Sequence, residues 1–234
     1  MSIIESAFLK NQRSDSQEAP GTRERARKRK QSRQGSQTLT NQFSIREDIA
    51  AMSQRREYTA NEFSERGLIS KYLEDSKLMN EYRNMRTKLL SGDSKDNFST
   101  LITSVSPDYD PSLVTANIAS TFALDEGKTS IVINANVASD KCNSIFDTEA
   151  ELGLVDAISS DGLPVEDIIY ETPIKRLRYI PIGRNPESSA EYFGDIRMKK
   201  TMESILKRYS ERFIFINAPS IASSADTSRR PSVP

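Results

Sequence analysis

The chain has no histidine and a single cysteine, Cys142, and it has no apolar run of about 18 residues, the length that reads as a membrane span. Each absence removes a class of function. Without histidine no Ser-His or Cys-His catalytic pair can be assembled, and with only one thiol a zinc site lacks its usual ligands. One cysteine cannot form an internal disulfide framework. The N-terminus carries Glu5 beside a short apolar patch, unlike a secretory leader. The expectation is a cytoplasmic protein, placed at the inner face of the cell membrane if its basic arm binds there.

What is present is enough for one modest domain. At 234 residues and 36% hydrophobic the chain can bury a sizeable core, while 28% charged residues and a mean hydropathy of -0.59 put polar segments outside it. The net charge is zero but unevenly spread. Residues 1–40 hold nine Lys/Arg against Glu5, Asp15, Glu18 and Glu24, a net +5, so the remaining 194 residues carry -5. The densest cluster is Arg23, Arg25, Arg27, Lys28, Arg29, Lys30 and Arg33. Its neighbours are Gly, Ser, Gln and Thr, a composition expected to be disordered when free. Three readings of the arm stay open: a contact for an anionic membrane surface, worth on the order of 1 kcal/mol per basic residue; a nucleic-acid arm; and a solubilising tail. Nucleic acid is disfavoured because no stacking aromatics accompany the charges. Ahead of it, Ile3, Ile4, Ala7 and Phe8 share one helical face, a short docking helix or a frayed terminus.

One loop is laid out to hold phosphate and carries the wrong residues to do it. Strand-like Thr100–Val105 runs into Ser106-Pro107-Asp108-Tyr109-Asp110-Pro111-Ser112, and a helical pattern follows at once. A working phosphate loop needs glycines so that backbone N–H groups wrap the anion, a lysine for the β- and γ-phosphates, and a Ser/Thr for magnesium. Only Ser112 is in place. Asp108 and Asp110 stand where glycine would let the backbone close. At roughly 4 Å and an effective dielectric near 20, each carboxylate opposes a phosphate charge by about 4 kcal/mol. Pro111, at the lysine position, supplies neither cation nor N–H. Asp110-Pro111-Ser112 is, however, a good helix start, with Asp as N-cap and Pro at the first helical position. The expectation is a helix capped by its own carboxylate, although an ordinary strand-to-helix turn reads the same way.

Two further segments bear on this. Thr129–Ala138 is a buried-strand run containing Asn134-Ala135-Asn136, and Arg212–Pro219 is another ending in Asn217-Ala218-Pro219-Ser220. With Thr103-Ser104-Val105-Ser106-Pro107-Asp108-Tyr109-Asp110-Pro111-Ser112 and Asn117-Ile118-Ala119, the chain resembles the bacterial tyrosine kinases of exopolysaccharide export. These are part of the deviant Walker group of P-loop NTPases that includes MinD and ParA. The family pattern is Thr-Ser-x-x-Pro-Gly-Glu-Gly-Lys-Ser/Thr with a later Asn-Leu-Ala, then Asp-Ala-Asp, then Asp-x-Pro-Pro. The resemblance covers about residues 66–227 and includes Glu81-Tyr82-Arg83 and the Tyr179–Gly183 strand.

The resemblance implies a mostly parallel α/β sheet with helices on both faces, P-loop NTPase-like. It also implies acidic residues that hold magnesium and accept the tyrosine proton; those positions here are Asn134, Asn136 and Asn217. Magnesium is bound through carboxylates and phosphate, and a neutral amide is no general base near pH 7. With the lysine replaced as well, four groups are lost together, so no catalytic residue, metal or cofactor is expected. The family's Glu-x-x-Arg-x-x-Arg, implied to build ring-shaped oligomers, reads Asn80-x-x-Arg83-x-x-Arg86, without its acid. These three are an oligomer contact by resemblance and a solvated helix face by composition. A family member is also implied to continue past the third motif to a tyrosine-rich tail. No Tyr lies beyond Tyr209 here. The expectation is a sheet that is short by a strand or two or completed by a partner, with a truncated gene product left open.

The expected layout is a basic arm over 1–40, a linker with a short helix over 41–65, the α/β domain over 66–227 and a tail over 228–234. Within the domain, Asp75 or Ser76 caps a helix whose Leu78, Met79, Tyr82, Met85 and Leu89 share a face. Leu154, Val155 and Ile158 suit a short helix, and Leu177–Gly183 a strand. Residues 187–209 read as helix broken at Gly194, and Phe213–Ile216 as a buried strand.

The reading that follows is a pseudokinase-like scaffold or regulatory protein of exopolysaccharide biosynthesis, acting by contact. Its partners by resemblance are a cytoplasmic segment of a membrane polysaccharide co-polymerase or an active kinase paralogue. Two alternatives remain. One is a residual kinase or ATPase using Ser112, Asn134 and Asn217 with ATP and Mg. The other is a MinD- or ParA-like positioning factor tied to membrane or DNA by residues 23–33.

Overall fold

The computed structural model describes residues 56–73, 77–91, 97–160, 163–184, 196–208 and 212–222. All belong to the second of two units into which the chain divides, residues 51–234. The basic cluster at 23–33, the apolar patch at 3–8, residues 187–195 and 209, the cap candidates Asp75 and Ser76 and the tail at 228–234 lie outside the described residues.

Five strands form the sheet: β1 Ser99–Ile102, β2 Thr129–Asn134, β3 Tyr170–Glu171, β4 Leu177–Ile180 and β5 Arg212–Asn217. Their order is β1-β5-β2-β4-β3. The first four in that order run parallel, and β3 is antiparallel to β4. β2 and β5 lie at the centre, and their apolar runs are buried on both sides. That is the pattern of a sheet with both faces covered.

The helices are α1 Ala60–Glu65, α2 Lys77–Leu90, α3 Ser112–Ala123, α4 Lys141–Phe146, α5 Leu154–Ser159 and α6 Ile196–Arg208, with 3₁₀ turns at Lys71–Leu73 and Val165–Ile168. α3 is buried around most of its circumference. It lies on one face of the sheet over an aromatic cluster in which Phe122 stacks on Phe213 at 4.8 Å and on Phe215 at 5.1 Å, with Phe98 against Phe213 at 5.0 Å. α1 and α2 pack into the same core through Phe63, Met79 and Tyr82. The opposite face is aliphatic: Ile131, Ile133, Ile180 and Ile214 from the strands meet Leu154 and Ile158 of α5, Ile168 of the second 3₁₀ turn and Ile205 of α6. Where β4 exits, Gly183 (φ 91) passes so close to Gly153 that a Cβ on Gly153 would sit 2.3 Å from the Pro181 carbonyl. Asp156 Oδ2 ties that crossing by accepting from the Gly153 and Arg184 N–H groups at 2.8 and 3.0 Å.

Two expectations change. The linker expected over 41–65 does not extend to its C-terminal end, because residues 56–65 are docked. Tyr58 and Phe63 are buried edge to face at 5.7 Å, and the Tyr58 hydroxyl donates to the Ile145 carbonyl at 3.1 Å. A polar stretch hid two aromatic anchors. α1 is fixed locally by a capping box in which the Thr59 hydroxyl accepts from the Glu62 N–H and Glu62 accepts from the Thr59 N–H. On α2 the buried stripe is Met79, Tyr82 and, half-buried, Arg86 and Leu89, whereas Leu78 and Met85 face solvent. Residues 78 and 85 are one helical step round from the stripe, and an apolar count alone does not separate the two rows.

Candidate functional site

The carboxyl ends of parallel strands are where open α/β sheets place ligands. Here the ends of β1, β2 and β5 meet the N-terminus of α3. The loop between β1 and α3 is folded on its own donors. The Asp108 N–H donates to Ser106 Oγ at 3.3 Å and the Tyr109 N–H to the Ser106 carbonyl at 3.3 Å. Ser106 Oγ in turn donates to Asp108 Oδ2 at 3.1 Å. The Ser112 N–H donates to Asp110 Oδ1 at 2.8 Å. Three backbone donors that a phosphate loop would aim at an anion are therefore held within the chain.

Asp110 caps the N-terminus of α3. Pro111 sits at the helix cap with helical φ/ψ of -77° and -3°, and its carbonyl already accepts from the Thr115 N–H at 2.9 Å. The capping side chain is thus one residue earlier, on Asp110. Its second oxygen accepts a short hydrogen bond from Ser139 Oγ, and Lys141 Nζ stands 4.0 Å away. Burial alone would push the Asp110 carboxyl up. The Ser112 and Ser139 donors and the Lys141 charge outweigh it and hold the group below the ordinary carboxylate value.

Beneath α3 lies a sealed polar cluster. Asn217 Nδ2 donates to Asn134 Oδ1 at 3.0 Å and to Ser112 Oγ at 3.1 Å, and it approaches Cys142 Sγ at 3.4 Å. Thr115 Oγ1 reaches Asn217 Oδ1 at 3.4 Å and donates to the Pro111 carbonyl at 2.9 Å. Asn134 Oδ1 also accepts from the Asn136 N–H at 3.1 Å. Asn134 Nδ2 is buried without a partner of good geometry and lies on the Tyr179 side of the cluster. Burial pushes the Cys142 thiol up to about 12 and also raises the Tyr179 hydroxyl.

The structure therefore brings together Asp110, Ser112, Asn134 and Asn217 and sets the others apart. Asp108 is exposed, Pro111 contributes only backbone, and the Asn136 side chain turns to the Ala138 N–H at 3.1 Å. Thr115, Ser139, Lys141 and Cys142 join the site without having been expected there from the sequence. Thr115 lay one turn after Ser112, a usable signal. Ser139, Lys141 and Cys142 reach the site only through the path of the loop after β2. Of the expected oligomer positions, Asn80 and Arg83 are exposed, whereas Arg86 Nη1 donates to the Thr121 carbonyl at 3.0 Å and so ties α2 to the end of α3.

These residues do not fit magnesium with a triphosphate. A carboxylate occupies the helix N-terminus, no lysine stands at position 111, and the two strand ends that would offer carboxylates to a metal offer amides bonded to each other. No catalytic step is derived through such a group.

The arrangement defines the class: an α/β fold like that of the P-loop NTPases, in which the loop between β1 and α3 is closed on its own donors. Comparisons agree on the architecture. The chimerical protein CapA2B2 superposes with a TM-score of 0.58 over 79% of this chain and 78% of that one, at 20% identity. The kinase domain of the Escherichia coli tyrosine kinase ETK gives 0.55 over 73% and 77%, at 17% identity, and the BceF tyrosine kinase domain 0.54 over 75% and 74%, at 23%. In sequence, the chain is 26% identical over 152 residues to CapB of Staphylococcus aureus, named as a tyrosine-protein kinase. It is 30% identical over 119 residues to an uncharacterized ATP-binding protein of Methanocaldococcus jannaschii. It spans 65% and 41% of those two relatives' lengths, and these matches cover 64% and 49% of this chain. No protein-family model matches. The chain thus resembles the bacterial tyrosine kinases in sequence and shares the fold of their kinase domains. No helix among the described residues is long and apolar enough to cross a membrane.

Proposed function

We propose that this chain is a catalytically silent relative of the bacterial tyrosine kinases, a scaffold or regulatory protein of exopolysaccharide biosynthesis that works by contact without phosphotransfer. The observation that carries the reading is the Asp110 carboxylate seated at the α3 N-terminus on the Ser112 N–H, where a phosphate would have to sit. A bound triphosphate would have to displace an anion that is already hydrogen-bonded and paired. The partners that suit this reading are a cytoplasmic segment of a membrane polysaccharide co-polymerase or an active kinase paralogue, with residues 23–33 meeting an anionic membrane surface.

Isothermal titration with Mg-ATP is the test, and no heat of binding is expected at micromolar nucleotide. Saturable micromolar binding would contradict the proposal. The ATP-binding relative at 30% identity favours a second reading, residual nucleotide binding through Ser112, Asn134 and Asn217. Incubation with radiolabelled ATP separates the two, since phosphotyrosine in the product requires the second.

A further inference from the structure

We propose that the pocket between residues 57–71, the C-terminal end of α3 and the β3–β4 turn is a docking site for an acidic peptide, which seats one small branched aliphatic side chain in it. The cavity measures about 70 Å³, and all of its walls are described residues. Its floor is Phe63, Ile69, Ala123 and Ile174, each buried. Ser70 and Ser120 also line it, but both hydroxyls are engaged: Ser120 Oγ donates to the Ala116 carbonyl at 2.7 Å, and Ser70 Oγ accepts from the Tyr72 N–H at 3.2 Å. A polar occupant would find its own groups poorly matched there, so the interior selects an apolar one.

Size narrows the choice further. Small-molecule sites run to about 300–1,000 Å³, and an apolar cavity of about 150 Å³ holds one benzene ring. At under half of the latter, this cavity takes about three carbons, the isopropyl end of a valine. It is therefore an anchor point for a larger molecule whose remaining contacts lie around the mouth.

Charge at the walls sets the sign of those contacts. Lys71, Lys175 and Arg176 stand against one carboxylate, Glu57, which pairs with Lys71 Nζ at 3.1 Å. Lys175 is exposed and has no carboxylate partner among the described residues. The carbonyl end of a helix ordinarily disfavours an anion. Here the Ala123 and Leu124 carbonyls accept from Arg176 Nε at 2.9 Å and Nη2 at 3.3 Å, which lays a cation across that end. Asp125, the next carboxylate along the chain, is turned to the Gly127 N–H at 3.2 Å. The walls are also fixed in advance. Arg176 holds a left-handed φ of 62° without being glycine, a conformation that persists where its surroundings enforce it. Thr172 Oγ1 braces the same turn by accepting from the Ile174 N–H at 3.2 Å and donating to the Leu177 carbonyl at 2.9 Å, while Asn117 Oδ1 holds the Ile69 N–H at 2.8 Å on the facing wall. Acidic residues flanking a valine would meet Lys175 and Arg176 as the side chain enters. The inference rests on the reading that this chain works by contact, and it supplies the chemistry of the partner.

The test is a titration of the full chain, with labelled isoleucine methyl groups, by an acetylated and amidated Asp-Glu-Val-Glu-Asp peptide up to millimolar concentration, followed by nuclear magnetic resonance. Saturable shifts are expected at Ile69 and Ile174, with Ile131 and Ile133 on the other face of the sheet unmoved. Two control peptides, Lys-Lys-Val-Lys-Lys and Asp-Glu-Gly-Glu-Asp, keep the anchor or the charge alone and should each shift those methyls far less. Lys175→Glu, an exposed change, should weaken the binding about two- to fivefold. Ala123→Leu, which fills the cavity from within, should abolish it. Circular dichroism checks that each variant is folded, and if Ala123→Leu is not, Lys175→Glu and the control peptides decide. Absence of shifts at Ile69 and Ile174, an equal response to all three peptides, or binding that Lys175→Glu leaves untouched overturns the proposal. None of these outcomes bears on nucleotide binding, so this inference and the absence of phosphotransfer fail separately.

Discussion

Asn217 Nδ2 donates to Asn134 Oδ1 at 3.0 Å across paired positions at the carboxyl ends of β5 and β2. Two carboxylates at that separation would repel unless a cation or shared proton lay between them. Two amides bond directly, and the same Asn217 donor reaches Ser112 on α3. The two strand ends are stitched to each other and to the helix.

Asn217→Asp should therefore be strongly destabilising. It removes the donor to Asn134 and Ser112 and sets a buried carboxylate against acceptors, at a cost of about 3 kcal/mol or more at pH 7. The folded state would raise that carboxyl's pKa, so the penalty should grow as pH rises above the unfolded value and shrink toward pH 4. Urea denaturation at the two pH values reads both the loss and its pH dependence.

For Asp110→Asn, the amide oxygen can still accept from the Ser112 N–H, so only the charge at the α3 N-terminus is lost, at a cost of about 0.3–1 kcal/mol at neutral pH. Because the folded state holds Asp110 below its ordinary value of 3.8, its contribution is complete above that value and disappears as pH falls through the folded pKa. The gap between wild type and variant in thermal melts should accordingly close on acidification below about pH 4. A gap that widens in acid would mean that Asp110 is not the favoured anion at this site.

Asn117 clamps the docked segment 56–70 to α3, its Oδ1 accepting from the Ile69 N–H at 2.8 Å and its Nδ2 donating to the Gly67 carbonyl at 3.0 Å. Asn117→Leu orphans both backbone groups, and a loss of about 2–4 kcal/mol is expected. Trypsin cleavage after Arg66 under native conditions should accelerate in step, because that segment opens first.

Cys142 is fully buried and its thiol is pushed up to about 12. At pH 8 it should react with a thiol reagent only as fast as the protein opens, and at once in denaturant. Above its ordinary value of 9.0 the unfolded thiol ionises and the folded one does not, so stability should fall as pH rises from 9 toward 12. Rapid native labelling at pH 8 would show the polar cluster to be open to solvent.

Much of this was legible in the chain. The apolar runs of β2 and β5, the Asp110-Pro111-Ser112 helix start and the loss of lysine at the loop are local facts, and local chemistry expressed them as buried strands and a self-capped helix. The docking of Tyr58 and Phe63 was not legible, because two aromatics in a polar stretch carry no period until a core receives them. Nor was the split between the Leu78/Met85 row and the Met79/Tyr82 row of α2, which depends on where α3 lies.

By itself the sequence determined that a strand, a glycine-free loop and a helix follow one another, and that three acids and a lysine of the resembled pattern are absent. These depend on residue identity and on interactions within a few positions. Only the tertiary structure decided that Ser139 and Lys141 would close on Asp110, that Asn134 and Asn217 would bond to each other, and that β5 would lie between β1 and β2. Those contacts join residues 29 to 83 positions apart or more, and such pairs meet only after the sheet has fixed its strand order.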